Sequence, residues 1–229
     1  MDGRTQPGVS GPGPYRGKRV VDLVLLAVVA VPAALVAIPC AVAVKLTSRG
    51  PVLFRQSRVG RDGRAFEMVK FRTMLVGDNP IFPDESRITP AGRWLRRSSL
   101  DELPNLVNVA RGEMSIVGPR PTLQYQVDRY DDRQRRRLSC RPGLTGLAQI
   151  RGRNALSWDE RIDHDLEYVD TQSAALDLRI LGATVRVLLT GAGVEGHPDD
   201  DPLAAPPQDL PDIDGGGGGA RPDDRGARP

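Results

Sequence analysis

Cysteine and histidine are nearly absent from this chain. Its 229 residues include two cysteines, Cys40 and Cys140, and two histidines, His164 and His197. Two cysteines cannot build a disulfide framework, and their spacing does not match a zinc site. Two histidines exclude a metal centre built mainly from imidazole ligands. The low cysteine content agrees with a protein that works in a reducing compartment.

Aromatic residues are also scarce, at 4% of the chain, and the formal net charge is only +3. The charges are unevenly distributed, because arginine dominates residues 87–153 and aspartate dominates the last 35 residues. The arginines lie among turn-rich segments, and few aromatic rings are available to stack on bases. We therefore expect no nucleic acid among the partners.

The longest uncharged run covers residues 23–44 and reads LVLLAVVAVPAALVAIPCAVAV. As one helix, its 22 residues would be about 33 Å long, and the hydrocarbon core of a membrane is about 30 Å thick. The run is too long for the apolar core of a signal peptide, although AVA at 41–43 resembles a cleavage site. A membrane span is the simplest interpretation.

A re-entrant hairpin is the main alternative to a straight span. Pro32 and Pro39 each remove a helix hydrogen bond and clash with the preceding turn, which predicts a break or a kink. The run has basic residues on both sides: Arg16, Lys18, Arg19, Lys45 and Arg49. The positive-inside rule then assigns both flanks to the cytoplasmic side. The residues alone leave both topologies open.

Residues 50–74 have the pattern of a β-hairpin. Val52, Leu53 and Phe54 form a short apolar strand, and GRDG at 60–63 predicts a turn. AFEMVKF at 65–71 alternates with period 2, as a half-buried strand does. A polar loop with prolines follows at 77–90.

Helical patterns occupy much of the remaining chain, at 91–97, 158–169 and 176–189, and a further helix begins in the stretch SSLDELPNL at 98–106. Ser99 and Glu102 have the spacing of a capping box, and Pro104 indicates a later start as the alternative. An apolar face then follows from the periodicity: Leu100, Leu103, Leu106, Val107 and Ala110. Segments 112–121 and 141–153 are predicted as turn-rich loops.

The predicted fold class is α+β: a re-entrant or spanning membrane helix, then a small, mainly helical domain with a short β-hairpin. We assign residues 1–15 to a disordered N-terminus and residues 16–48 to the membrane-inserted segment. Residues 49–190 form the folded domain, and residues 191–229 form a disordered acidic tail rich in Gly and Pro.

Asp101 and Glu102 stand side by side directly after a run of arginines. In a first helical turn, free N–H groups and the helix dipole favour negative charge. Neighbouring side chains on a helix diverge by about 100°, so the two carboxylates should divide roles rather than share a proton. An aspartate can attack phosphorus, and Mg²⁺ binds carboxylate and phosphate oxygens. The same pattern also suits a helix cap without any function.

Four motifs occur in a fixed order: KFRTM (70–74), RITPAGRWLRRSSLDELPNLVNVARGEMSIVGPRP (87–121), RPGLTGLAQIRGRN (141–154) and DLEYVD (165–170). Together they resemble the bacterial sugar transferase family, the small monotopic phosphoglycosyl transferases, over about residues 16–190. The resemblance implies an enzyme of the cell membrane whose catalytic domain lies on the cytoplasmic face. It implies transfer of a sugar phosphate from a UDP-sugar to polyprenyl (undecaprenyl) phosphate, with release of UMP, at the start of polysaccharide or glycan assembly.

The resemblance also implies roles for individual residues. Asp101 is expected to be the covalent nucleophile, and Glu102, together with Asp101, is expected to hold Mg²⁺. Five basic residues are expected to contact the substrate: Lys70, Arg72, Arg97, Arg120 and Arg153. The implied partners are the UDP-sugar, polyprenyl phosphate and membrane lipid, and a glycosyltransferase or a second copy of the chain is compatible with them.

The chain departs from the family pattern at three places. Relatives break the membrane helix at a Ser-Pro pair, whereas residues 34–35 here are Ala-Leu, with Pro32 and Pro39 on either side. Glu113 stands where relatives usually have Asp, and Arg151 stands where they often have Asn or Ser. None of these positions belongs to the Asp-Glu pair, so they bear on topology and substrate more than on the reaction class.

A rival hypothesis is a membrane-tethered basic protein that binds anionic partners or acts as a scaffold without catalysis. It predicts that the arginines matter whereas Asp101 and Glu102 do not. The intact DELP sequence at 101–104 argues against a family member that has lost its activity.

Overall fold

The computed structural model describes residues 11–77, 85–152 and 155–190. Four short 3₁₀ segments lie between its regular elements, at Arg61–Gly63, Glu85–Arg87, Leu100–Asn105 and Arg136–Ser139. In chain order, those elements are α1 (Lys18–Thr47), β1 (Leu53–Val59), β2 (Ala65–Phe71), α2 (Pro90–Ser98), α3 (Leu106–Arg111), β3 (Ser115–Val117), α4 (Gln124–Asp128), α5 (Asp132–Arg135), β4 (Gly143–Thr145), α6 (Leu147–Arg151), α7 (Trp158–Thr171) and α8 (Ala174–Thr190). The chain is thus mixed helix and strand, as predicted.

Helix α1 has 30 residues and contains both Pro32 and Pro39. Helical residues continue through the two prolines, so the predicted break is not a gap in the helix. The middle of α1 packs against little else, since Val28, Val31 and Leu35 are each more than 60% exposed. By length and composition, α1 is the one helix among the described residues that could cross a membrane. So much exposed apolar surface requires an apolar environment that the rest of the protein does not provide.

The N-terminal end of α1 is fixed to the domain by buried charges. The ammonium group of Lys18 lies 3.0 Å from Asp22 and 2.9 Å from Asp177 at the start of α8. The Asp22 carboxylate also accepts hydrogen bonds from the Ser115 hydroxyl and from the Ile116 N–H of β3. A buried carboxylate needs such partners, because burying an unpaired charge is costly.

The C-terminal end of α1 is fixed to the same domain. Arg72 donates hydrogen bonds to the backbone oxygens of Ser48 and Arg49, at 3.0 and 2.6 Å, and to the Ser48 hydroxyl at 2.8 Å. A buried apolar cluster lies beside this contact: Cys40, Val44, Phe71 and Leu95. Both ends of α1 therefore contact one domain while its middle remains exposed.

The predicted hairpin is confirmed. Strands β1 and β2 are antiparallel, with Leu53 opposite Phe71 and Val59 opposite Ala65. Two buried side chains, Asn105 and Asn108, accept hydrogen bonds from the N–H of Val69 through their amide oxygens. These contacts connect β2 to the segment that carries Asp101 and Glu102.

The capping box predicted at Ser99 is wrong. Ser99 has φ 55° and ends α2, and its side chain makes no capping hydrogen bond to the segment that follows. Leu100–Asn105 is a 3₁₀ helix, and α3 begins only at Leu106. The reason is Pro104: an α-helix capped by Ser99 would need the N–H of residue 104 to donate to the Leu100 carbonyl, and proline has no N–H.

The apolar face predicted for this helix also differs from the observed one. Val107 is 47% exposed and Ala110 is exposed, whereas Val109 and the two asparagines are buried. The three leucines of the predicted face, Leu100, Leu103 and Leu106, are partly buried and pack against apolar clusters. The asparagines are buried as well, because the β2 backbone beside them requires hydrogen-bond partners.

Strands β3 and β4 lie in segments that were predicted as loops. They form a short parallel pair, with Ser115 opposite Gly143 and Val117 opposite Thr145. A β-carbon on Gly143 would lie 2.1 Å from the backbone nitrogen of Gly118. The glycines of the GPRP and RPGLTG motifs therefore allow two backbones to approach more closely than side chains would permit.

We expect Gly143→Ala to lower the free energy of unfolding by about 1–3 kcal/mol or more, because its methyl group must displace backbone atoms. The matched control is Gly182→Ala in α8, where a β-carbon meets nothing within 4 Å. That change should raise stability by about 0.5–1 kcal/mol, since alanine loses less entropy in a helix. Thermal unfolding in one detergent would compare the two, and equal effects would contradict the close approach.

Helices α7 and α8 are confirmed close to their predicted bounds. Part of the N-terminal segment predicted as disordered contacts the domain: Pro12 accepts a hydrogen bond from Ser139, and Tyr15 donates one to Asp177. Residues 1–10 and the predicted acidic tail from 191 onward lie outside the described residues.

Candidate active site

Asp101 and Glu102 lie in the first turn of the 3₁₀ segment, between α2 and α3. Asp101 is only 8% exposed. Glu102 is more accessible, and its Oε1 accepts a hydrogen bond of 2.6 Å from Nη2 of Arg120. The two neighbouring carboxylates therefore have different environments, one mainly buried and one paired with an arginine.

Burial is the main reason that the pKa of Asp101 is raised from 3.8 to about 6. The negative charge of Glu102 raises this pKa further, whereas Lys70, Arg120 and Arg96 lower it. Among the described residues, Asp101 forms no ion pair within 4.0 Å. The charged form of its carboxyl group is consequently less stabilised than it would be in water. Carboxyl groups with a raised pKa are typical of functional sites.

Lys70 lies on β2 next to Val69, the residue held by the two asparagines. Its pKa is lowered to about 8, first by burial and then by the positive charge of Arg58, while Asp101 and Glu102 act in the opposite direction. The Lys70 ammonium group lies 5.3 Å from the centre of the Phe54 ring. The asparagine contacts thus position a lysine beside the acidic pair.

Arg58 is a site residue that the sequence reasoning missed. Burial and the charge of Arg120 lower its pKa to about 10. Its guanidinium donates to the Pro121 carbonyl at 3.3 Å and to the Gln56 side chain at 2.6 Å. The hairpin register carried a signal, because Phe54 pairs with Lys70 and alternation assigns Arg58 to the same face as Phe54.

The buried side chain of Arg137 contacts the backbone of the loop that carries Arg120. The Arg137 guanidinium donates to the Arg120 carbonyl at 3.2 Å and also to the Tyr130 hydroxyl. Its charge is paired with Asp165 of α7, and both side chains are buried. The DLEYVD motif therefore supports the active-site loop through a buried ion pair.

The other predicted contact residues lie in different places. Arg72 is buried and bonded to the end of α1, so a role in phosphate binding stays a prediction for it. Arg97 is exposed on α2, and Arg96 is the arginine of this helix whose charge acts on Asp101. Arg153 lies outside the described residues.

Asp101 and Glu102 are two adjacent carboxylates that could bind a divalent metal. No group of three or more His, Cys, Asp or Glu side chains that could enclose a metal is present in the described ranges. Mg²⁺ commonly binds through one or two carboxylates, several waters and the phosphates of its substrate. Asp101 and Glu102 therefore fit Mg²⁺ that arrives with a phosphate ligand, and they do not fit a metal held by protein ligands alone.

Comparison with known proteins agrees with the sequence motifs. Residues 14–191 match the model of the family described as bacterial sugar transferase. The chain is 46% identical over 155 residues to the protein named uncharacterized sugar transferase EpsL of Bacillus subtilis, a match covering 66% of this chain and 77% of that one. It is 40% identical over 163 residues to the galactosyl transferase CpsE of Streptococcus agalactiae, covering 64% of this chain and 36% of that one.

A third relative is the UDP-glucose:undecaprenyl-phosphate glucose-1-phosphate transferase of Caulobacter vibrioides. It is 43% identical over 188 residues, which cover 76% of this chain and 70% of the relative. The family match extends over most of the described residues and includes the acidic pair, the GPRP loop and the DLEYVD motif. The chain therefore belongs to the bacterial sugar transferase family.

Proposed function

We propose that this protein transfers a sugar phosphate from a UDP-sugar to polyprenyl phosphate and releases UMP. The observation that carries the proposal is a buried Asp101 beside a Glu102–Arg120 pair, with Lys70 and Arg58 close by. The name of the Caulobacter relative specifies UDP-glucose and undecaprenyl phosphate, and that of the streptococcal relative specifies a galactosyl transferase. These names support the substrate classes, and they differ in the sugar.

The proposed reaction has two half-reactions. In the first, a carboxylate oxygen of Asp101 attacks the phosphorus next to the sugar, and the bond from this phosphorus to the bridging oxygen breaks. UMP leaves with that oxygen, and the sugar phosphate remains bound to Asp101 as an acyl phosphate. In the second, a phosphate oxygen of polyprenyl phosphate attacks the same phosphorus and releases the Asp101 carboxylate.

The surrounding cations balance the charge of the diphosphate. Arg120 already pairs with Glu102, so Lys70 and Arg58 provide the additional positive charge for a dianionic donor. Positioning and charge neutralisation account for most catalysis in phosphoryl transfer. Bound Mg²⁺, held by Glu102 and Asp101, would supply further charge neutralisation at the phosphates.

The proposal includes the membrane arrangement. Helix α1 would enter the membrane from the cytoplasmic face and return to it, since both of its ends contact one domain and both flanks are basic. A bend at Pro32 and Pro39 would then keep the helix continuous. The active site would lie at the membrane surface, where a soluble donor and a lipid acceptor can both reach it.

UMP release by the purified full-length protein tests this function. Protein in detergent or nanodiscs would receive Mg²⁺, polyprenyl phosphate and a panel of UDP-sugars. We expect UMP from one sugar or a few related sugars, and loss of the signal in EDTA. If no UDP-sugar supported UMP release while the protein bound anionic lipid with a steep dependence on salt, the non-catalytic alternative would be favoured.

The first half-reaction should lose rate in acid. Since Asp101 must be ionised to attack and its pKa is about 6, the rate of UMP release should fall about tenfold per pH unit below that value. A single turnover without acceptor is the appropriate measurement, because a phosphate monoester such as polyprenyl phosphate itself ionises with a pKa of about 6.

In Lys70→Met, the fall in the rate of UMP release at low pH should begin at a higher pH, because the Lys70 charge lowers the pKa of Asp101. Arg133→Gln is the control, since Arg133 pairs with Asp163 on the exposed surface. The assignment of Asp101 as the nucleophile would be contradicted if the wild-type rate did not change with pH. It would also be contradicted if Lys70→Met had the same pH dependence as the wild type.

A further inference from the structure

A cavity of about 230 Å³ is lined in part by Glu102 and Arg120. Its walls are largely apolar and come from the 3₁₀ segment, α3, β3, β4, α6 and α8: Leu103, Leu106, Ile116, Leu144, Ile150 and Leu181. Pockets for drug-sized ligands have volumes of about 300–1,000 Å³. This cavity is therefore suited to one ring-sized portion of a larger ligand whose charged part lies at the Glu102–Arg120 end.

Gln149 of α6 lines this cavity. Its amide oxygen and amide nitrogen are both buried, and neither has a hydrogen-bond partner among the described residues. Two threonines that line the cavity have hydrogen-bond partners. The hydroxyls of Thr145 and Thr184 bond to each other at 2.7 Å, and Thr184 donates to the Ile180 carbonyl. Buried polar groups normally have partners, so the Gln149 amide is an exception that requires an explanation.

The unpaired amide can turn into the cavity without losing a hydrogen bond. Its oxygen accepts one hydrogen bond and its nitrogen donates two. A ligand that offers a donor and an acceptor on neighbouring atoms would satisfy both ends at once. Side-chain rotations of this kind are common when a ligand binds.

Three parts of the two substrates could enter the cavity. A sugar carries many hydroxyls, which the largely apolar walls would leave unpaired. A polyprenyl chain would reach the site along the membrane helix, but no residue of α1 lines this cavity, and a hydrocarbon would leave the Gln149 amide unpaired. A flat pyrimidine ring satisfies both requirements, with apolar faces and a polar edge.

We infer that this cavity binds the uracil ring of the nucleotide donor and that Gln149 recognises the edge of that ring. The uracil N3–H donates to the amide oxygen of Gln149, and a neighbouring uracil carbonyl accepts from the amide nitrogen. The diphosphate then extends toward Arg120, Lys70 and Asp101. The inference rests on the proposed function, because it assumes that the donor is a UDP-sugar.

Binding of UMP and of ribose 5-phosphate to the full-length protein, measured by calorimetry, separates the base from the phosphate. Gln149→Leu should weaken UMP binding about ten- to hundredfold, the loss of two neutral hydrogen bonds, and should leave ribose 5-phosphate binding unchanged. The control is Gln124→Leu on α4, whose exposed amide bonds to Asp128, and it should change neither affinity. Because leucine replaces an unpaired buried amide, Gln149→Leu should be at least as stable as the wild type.

Unchanged UMP affinity in Gln149→Leu would overturn the inference. So would an equal loss for UMP and ribose 5-phosphate, which would indicate damage at the phosphate end. A raised KM for polyprenyl phosphate with unchanged UMP binding would instead assign the cavity to the lipid. In each of these cases UMP release by the wild-type protein would continue and the proposed function would stand. That function fails separately if the wild type releases no UMP from any UDP-sugar.

Discussion

Asp101→Asn should abolish UMP release and at the same time stabilise the fold. Asparagine has nearly the same shape but cannot attack phosphorus, so we expect turnover to fall by at least about a thousandfold. The stability gain follows from the pKa of Asp101, which is raised to about 6 in the folded protein from an ordinary value of 3.8. A raised carboxyl pKa means that folding disfavours the charged form, so the charge destabilises the protein at neutral pH.

The size and the pH window of this gain follow from the same shift. A pKa raised from 3.8 to about 6 corresponds to a free energy of about 2–3 kcal/mol, or several degrees in Tm. The gain should be complete above pH 6, shrink as the pH falls toward 4, and vanish where Asp101 is protonated in both states. Thermal unfolding of both proteins at several pH values, in the same detergent, measures it.

Glu102→Gln is the matched control for stability, because it removes the ion pair with Arg120 and should give a small loss rather than a gain. If Asp101→Asn kept normal turnover, the covalent intermediate would be wrong. If it lost turnover but also lost stability, Asp101 would have a structural role that its burial and pKa do not explain.

Asp165→Asn should cause one of the largest stability losses in the domain. The change leaves the buried guanidinium of Arg137 without its counter-charge. Breaking a buried ion pair from one side costs about 3–5 kcal/mol, because the remaining charge is buried and uncompensated. Since Arg137 also holds the Arg120 carbonyl, UMP release should fall in protein that is still folded.

A neighbouring pair in the same region provides the control. Arg136 pairs with Asp170, also from α7, but this pair is partly exposed. Asp170→Asn should cost less than about 1 kcal/mol, as exposed ion pairs do. Denaturant unfolding would compare the two variants, and similar losses from both would mean that burial of the Arg137–Asp165 pair is not what makes it important.

Four candidate site residues were named from sequence motifs: Asp101, Glu102, Lys70 and Arg120. The structure brings all four together. The sequence analysis did not name Arg58, because an arginine on a strand belongs to no motif and only the pairing of β1 with β2 assigns it to the face of Lys70. Nor did the sequence indicate that Arg72, which belongs to a motif, is bonded to the end of α1.

Local structure could be predicted from the sequence where the hydrophobic pattern is periodic. The prediction failed where a single residue sets the backbone conformation. The hairpin and the two C-terminal helices follow from alternation and helical spacing. The segment with the carboxylates does not, because Pro104 and the left-handed Ser99 convert the expected helix into a 3₁₀ turn. Strands β3 and β4 have three residues each, too few for a periodicity to be recognised.

The sequence by itself determined the family, the residue types of the candidate site and the presence of one long apolar helix, because these depend on residue types and their order. Only the tertiary structure decided the environment of each group. Burial raises the pKa of Asp101, an arginine from a distant loop pairs with Glu102, and Gln149 has both amide atoms buried in the wall of a cavity. Each of these depends on which segments exclude water from a given atom, and that is set by packing between elements far apart in the chain.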